Sequence, residues 1–482
     1  MIDLAHRSAR EHAAAIAGKE ISSLELLDHY LHRGEQFDAQ VNAIVVRDVE
    51  GARAAAREAD RALFRGEPLG PLHGVPVTVK DSLEVAGMRT TGGSTRWGYH
   101  VSTRDAESVA RLRAAGAIVF GKSNLPADAR DWQTYNDIYG TTNNPWDLAR
   151  GPGGSSGGSA AALAAGLTGL ELGADSAGSI RVPAHFCGVY GLRTSYGIVP
   201  GLGSVSGHAP GTLTEFDMAV LGPLGRHADD LGLGLDVLAG APLDLAPAWR
   251  LELPPARASS LREFRVAAWL DDPCCPVDSE VVAVMRRALD AVRDEGATVI
   301  EREGPVGLAE TMELYRPLLL AQGGLIEPEE SYARLVERAV SEGAGGGIAS
   351  GLTVSFRDWH ALDERRQHSR RRWAEFFREV DVLVCPAAPV SAFPHDQRTD
   401  PGRTIRTLRI NGADRPYGDL LPWTAPSSLN YLPAAVAPIG LTGGGLPVGI
   451  QVIAPYLHDR TAVRFVQCLA EVIGGFQPPP GY

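Results

Sequence analysis

Lysine is nearly missing from this chain: among 46 basic residues in 482, only Lys19, Lys80 and Lys122 are lysine. Arginine stays protonated in a protein, whereas a desolvated lysine can lose its proton. Neutral-amine chemistry is therefore confined to three positions. Cysteine is scarce as well. Cys187, Cys274, Cys275, Cys385 and Cys468 are odd in number and show no metal-ligand spacing. That pattern excludes a disulfide framework and points to free thiols in a reducing, cytoplasmic compartment. Positive charge is in deficit, with a formal net charge of −12, which argues against a nucleic-acid partner held by a basic surface. No apolar run approaches the ~18 residues that span a bilayer. The first twenty residues alternate alanines with charges and lack a signal-peptide core. No membrane partner is expected, and no metal or organic cofactor.

The order of local patterns is that of an α/β protein. Residues 1–65 read as helical: Ser22-Ser23-Leu24-Glu25 has the form of an N-terminal cap, and Leu26, Leu27, Tyr30 and Leu31 follow at helical spacing. The run 74–80 is β-branched and apolar, a buried strand that ends on Lys80. A short helix over 107–115 and a strand over 116–121 complete a strand–helix–strand unit. A small-residue helix over 159–167 precedes a strand at 170–173. From 245 to 375 the pattern is helical and irregular, with long helices at 281–292 and 363–380 and a flexible glycine break at 343–347. Strands return at 382–385 and 448–453, and a last helix covers 459–472. The expectation is one domain over 1–482, made of N-terminal helices (1–65), a core (66–240), a variable helical region (245–375) and a C-terminal return to the core (376–482).

Two serine-in-glycine segments carry the chemistry: Gly153-Gly154-Ser155-Ser156-Gly157-Gly158-Ser159 and Asp175-Ser176-Ala177-Gly178-Ser179-Ile180-Arg181. A serine hydroxyl needs a base to become a nucleophile, and the tetrahedral intermediate needs donors for its oxyanion. The backbone N–H groups of Ser176, Ala177, Gly178 and Ser179 are candidates for that oxyanion hole. Around Ser179 the Gly-x-Ser-x-Gly elbow is absent, which disfavours a histidine triad of the α/β-hydrolase type. Lys80, at the end of a buried strand, is the remaining base, with Ser155 as a relay where the lysine cannot reach Ser179 directly. Lys122 reads as structural or near the site. Asp175 and Arg181 read as an ion pair beneath the nucleophile, and Cys187 as a core thiol.

These residues resemble the amidase signature family. The resemblance runs through Gly74-Val75-Pro76 with Val79-Lys80-Asp81, Asn144-Pro145-Trp146-Asp147, both serine segments, Cys187-Gly188-Val189-Tyr190-Gly191, and downstream Gly445-Leu446-Pro447-Val448-Gly449-Ile450-Gln451. It covers most of the chain outside 245–375. It implies an α/β fold with a single large mixed β-sheet flanked by helices. It also implies an acyl-enzyme on Ser179, a bridging Ser155 after a cis peptide bond, and Lys80 as the base. By the same resemblance Ala129 and Trp132 wall the acyl pocket, with Gln133 and Tyr135 on the same segment. The expected substrate is a small amide, hydrophobic or aromatic in its acyl part. Alternatives are the amidase subunit of a tRNA-dependent amidotransferase and a biosynthetic acyltransferase; a homodimer is the expected assembly. Two departures stand out. Ala177 replaces a glycine, which would strain any left-handed backbone there, and Leu192-Arg193-Thr194 replaces Lys-Pro-Thr.

Overall fold

The β-branched run after Gly74 folds as the strand Pro76–Lys80 with every residue buried, as a strand covered on both faces requires. The computed structural model, which describes residues 4–342, 347–398 and 405–482, sets this strand near one edge of an eleven-stranded sheet. In chain order the strands are β1 (Ile44–Arg47), β2 (Pro76–Lys80), β3 (Ile118–Ser123), β4 (Glu171–Asp175), β5 (Tyr190–Arg193), β6 (Val220–Gly225), β7 (Arg265–Ala268), β8 (Thr298–Glu301), β9 (Val382–Pro386), β10 (Ala434–Leu441) and β11 (Pro447–Ile453). Their spatial order is β1-β3-β2-β4-β6-β5-β10-β11-β9-β7-β8. The sheet is mixed, as expected. β2 runs parallel to β3 and β4, and β7 parallel to β8 and β9. The other neighbours are antiparallel.

Helices cover the sheet and are set by ordinary local rules. Ser22 and Glu25 close a reciprocal capping box at the start of Ser23–Val41, the cap expected from sequence. The helix Gly157–Ala164 begins two residues earlier than its composition suggests and is buried throughout. Glycine at 158 lets it lie this close: a Cβ there would stand 2.4 Å from the backbone nitrogen of Asn124.

Six strands escape the periodicity reading: β1, β5, β6, β7, β8 and β10. β1 interrupts the stretch 1–65, and β7 and β8 fall inside 245–375, so that region is not wholly helical and supplies one edge of the sheet. β1, β5, β7 and β8 are four residues long, too short to display the alternation that marks a strand, and glycine and proline interrupt the apolar runs of β6 and β10. Residues 343–346 of the glycine break lie outside the described residues. One apolar core extends across the sheet, and two smaller clusters flank the segment around Ser179.

Candidate active site

Lys80 is the last residue of β2, fully buried, with its Nζ 2.6 Å from Ser155 Oγ. Burial pushes its amine down to about 7, against the pull of the Asp175 and Glu171 carboxylates. An amine that loses its proton near neutral pH and lies within hydrogen-bond reach of a hydroxyl has the geometry of a general base. The Gly154–Ser155 peptide is cis. Ser156, one residue on, is occupied differently. Its N–H donates to the Ser179 carbonyl at 3.0 Å, and its hydroxyl bonds both polar groups of the Ala174 backbone. Ser156 therefore ties the two serine segments together, while Ser155 faces the lysine. Lys122 is committed elsewhere: it pairs with Asp81 at 2.7 Å and donates to Thr90 Oγ1 and the Arg89 carbonyl.

The second segment follows β4. Asp175 ends that strand and is fully buried. Its carboxylate accepts from Arg181 at 2.8 Å and from the N–H groups of Gly178 and Ile180 at 2.9 and 3.0 Å. Burial alone would raise this carboxyl, but Arg181 and then Arg193 hold it far below the usual range. Arg181 in turn donates to Ser427, Ser428 and Gln451. The expected Asp175–Arg181 pair is thus the post on which the Ser179 turn is mounted.

Two side chains fix the peptide planes of that turn. Tyr315 Oη donates to the Ser176 carbonyl at 2.7 Å, and Trp132 Nε1 donates to the Ala177 carbonyl at 2.9 Å. One expectation is corrected here. The Gly178 N–H is already bonded to Asp175 and is not available to an oxyanion. Among the described residues no acceptor is bonded to the N–H groups of Ser176, Ala177 or Ser179, which leaves those three. The strain anticipated at Ala177 is also absent, because the left-handed residue is Gly178, at φ +91°. A Cβ at 178 would come within 2.7 Å of Thr424 Cγ2.

Trp132 is half-buried, stacks edge-on against Tyr417 at 5.6 Å, and belongs to both small apolar clusters. Its neighbour Asp131 anchors the segment by accepting from Tyr417 Oη at 2.6 Å and from Arg406 Nη1 at 2.7 Å. Arg406 also donates to Tyr135, and Gln133 exchanges two hydrogen bonds with the Asp396 backbone. Ala129 stands three residues before Trp132, half-buried, at φ +58°, a left-handed backbone uncommon for alanine. The half-buried members of the apolar cluster beside the Ser179 turn are Trp132, Ala177, Leu319, Trp359, Leu362 and Tyr431. Sequence reasoning missed Tyr315, Thr424, Asp131 and Arg406. All act through contacts across more than a hundred residues, and no local motif marks them. Cys187 is a buried core thiol, pushed up by burial. Among the described residues no group of three or more His, Cys, Asp or Glu is placed to hold a metal ion, and no helix is long and apolar enough to cross a membrane.

A buried lysine on a serine, a second serine turn with open N–H groups and a mixed eleven-stranded sheet define an amide-hydrolysing class of enzyme, and comparison with known proteins agrees. Residues 25–463 match the Amidase family, and the chain belongs to it. It is 34% identical over 474 residues to a glutamyl-tRNA(Gln) amidotransferase subunit of Roseiflexus sp. (strain RS-1), covering 93% of each chain. It is 33% identical over 471 residues to an acylamidase of Rhodococcus erythropolis, covering 95% of this chain and 94% of that one. Among solved structures, it superimposes with a TM-score of 0.83 at 28% identity on an inhibitor-bound vestigial complex bearing on the origins of an s-triazine catabolic enzyme. That match covers 98% of this chain and all of the other. The protein is an amidase signature enzyme, a hydrolase acting on carbon–nitrogen bonds in amides.

Proposed function

We propose that the chain hydrolyses the carboxamide bond of a small amide with an apolar or aromatic acyl part, through an acyl-enzyme on Ser179. The observation that carries this reading is the 2.6 Å contact between a fully buried Lys80 and Ser155. Neutral Lys80 takes the hydrogen of Ser155 Oγ as Ser155 takes that of Ser179 Oγ, and Ser179 Oγ bonds the carbonyl carbon. The N–H groups of Ser176, Ala177 and Ser179 are positioned to receive the developing oxyanion. On collapse the carbon–nitrogen bond breaks and the leaving amine takes the proton back through the relay. Water then repeats the path and releases the acid. The apolar side chains beside the turn, Trp132 and Leu319 among them, favour a hydrophobic acyl group.

A panel of primary amides and anilides of graded acyl size tests this, read by amine release and by the mass of the Ser179 adduct. Turnover that rises with acyl hydrophobicity is expected. Turnover confined to small polar amides would overturn the substrate class, and none with any amide would overturn the activity. A second reading, a component of an amidotransferase, draws on the 34% identity to proteins of that name. Co-purification with a second protein and glutamine-dependent ammonia release that requires it would select that reading.

A further inference from the structure

Glu171 opens β4 and faces Thr78 across the parallel β2–β4 pair. Side chains two apart on a strand share a face, so Thr78 and Lys80 project together and Glu171 stands diagonally from the lysine. Glu171 is 1% exposed. Its carboxyl accepts from the Thr78 hydroxyl and, at 3.3 Å, from Ser123, which lies 2.8 Å from Ser159 on the helix above. These side-chain partners are hydroxyls, and no guanidinium or ammonium among the described residues forms an ion pair with this carboxyl.

The other charged groups packed around this point are engaged elsewhere. On β4, Asp175 is held by Arg181 and Arg193. After β2, Asp81 is held by Lys122 of β3. Behind the sheet, Arg226 donates to Tyr30 of Ser23–Val41, a phenol kept neutral by burial, and to the carbonyls of Leu163 and Thr168. β6 presents uncharged Leu224 opposite Glu171. Among the described residues Lys80 forms no ion pair; it feels first Asp175, already held by two guanidiniums, and then Glu171, which has no ion-pair partner. A lone buried charge is costly, whereas a pair that is neutral overall is far less so.

We propose that Glu171 is a positioning residue for Lys80, the two sharing one proton across β2 and β4. The two do not touch, so the coupling acts through the field across the strands: with Glu171 as COOH, Lys80 is the neutral base, and with Glu171 as carboxylate the lysine is ammonium. One O–H bond is exchanged for one N–H bond, net charge stays zero, and no co-reactant is needed. The inference rests on the reading of Lys80 as the base. It is supported by burial driving the acid up and the amine down to a common value, each about 7.

The shortage of lysine makes the test direct. Lysine-selective 13Cε labelling gives three signals, assigned with Lys19→Arg and Lys80→Met, and each is titrated by NMR. In the unaltered protein the Lys80 signal titrates over a broad range. In Glu171→Gln its midpoint falls by about one pH unit or more and the curve narrows to a single ionisation. The acid limb of kcat/KM moves the same way. Thr78→Val keeps the acid but removes a donor to its carboxylate, so it shifts the midpoint in the same direction by less. That variant supplies the reading should Glu171→Gln fail to fold. A Lys80 midpoint that stays put or rises in both variants overturns the proposal. A midpoint that falls while the kcat/KM limb stays fixed leaves the shared proton standing and removes Lys80 as the catalytic base.

Discussion

The two serine turns are similar in composition and opposite in their relation to water. Residues 151–170 are buried without exception, whereas Ser176, Ala177 and Ser179 are half-buried. In the first turn the glycines are demanded by the protein itself. A Cβ on Gly154 would stand 2.5 Å from the Asp131 carbonyl, and one on Gly157 2.2 Å from Thr134 Oγ1. The second turn is held from outside by Tyr315, Trp132 and Asp175, and its single left-handed residue is Gly178. The division suits the chemistry. A lysine loses its proton near neutral pH only in a dry setting, so on the proposed mechanism the relay belongs in the buried turn, against the equally buried Lys80 of β2. On the same proposal the nucleophile must meet a substrate, so it belongs in the open one.

Four experiments bear on the difference between the turns. Ser179→Ala should lower amide turnover by at least ~10⁴-fold while thermal stability stays within about 0.5 kcal/mol, as suits a half-exposed side chain; turnover above a tenth of the parent value would refute the assignment. The pH dependence comes next. Lys80 must be neutral to accept a proton and its amine lies at about 7, so kcat/KM falls as pH drops through that value, approaching about tenfold per unit. A profile flat from pH 8 to 5 would contradict a buried base. Gly158→Ala presses a methyl into the Asn124 backbone at 2.4 Å, and a destabilisation of about 1–3 kcal/mol is expected from the denaturant midpoint. In the open turn, Ala177→Gly should change stability by about 1 kcal/mol or less and turnover by no more than about twofold, because Ala177 is not left-handed. Equal costs for these last two substitutions would erase the distinction between the turns.

Much of this was legible in the sequence, and for identifiable reasons. Lys80, Ser155 and Ser179 each sit in short motifs whose residues touch one another, so linear order carries their geometry. The pairing of Asp175 with Arg181 spans six residues and is read the same way. Gly178 misled because its N–H is taken by a side chain three positions back, a bond that composition does not announce. Tyr315, Thr424 and the Asp131–Arg406 pair were illegible because they meet the site only after the sheet is assembled. β1, β5, β7 and β8 were lost to their length, four residues each, and β6 and β10 to the glycine and proline within them.

If the open turn carries the nucleophile and the buried turn the relay, the two serines must differ in reactivity. Labelling with a serine-directed fluorophosphonate, followed by intact mass and peptide mapping, tests this most directly. One adduct on Ser179 is predicted, slower to form in Ser155→Ala and absent in Ser179→Ala. An adduct on Ser155, or full labelling of Ser179→Ala, would contradict it.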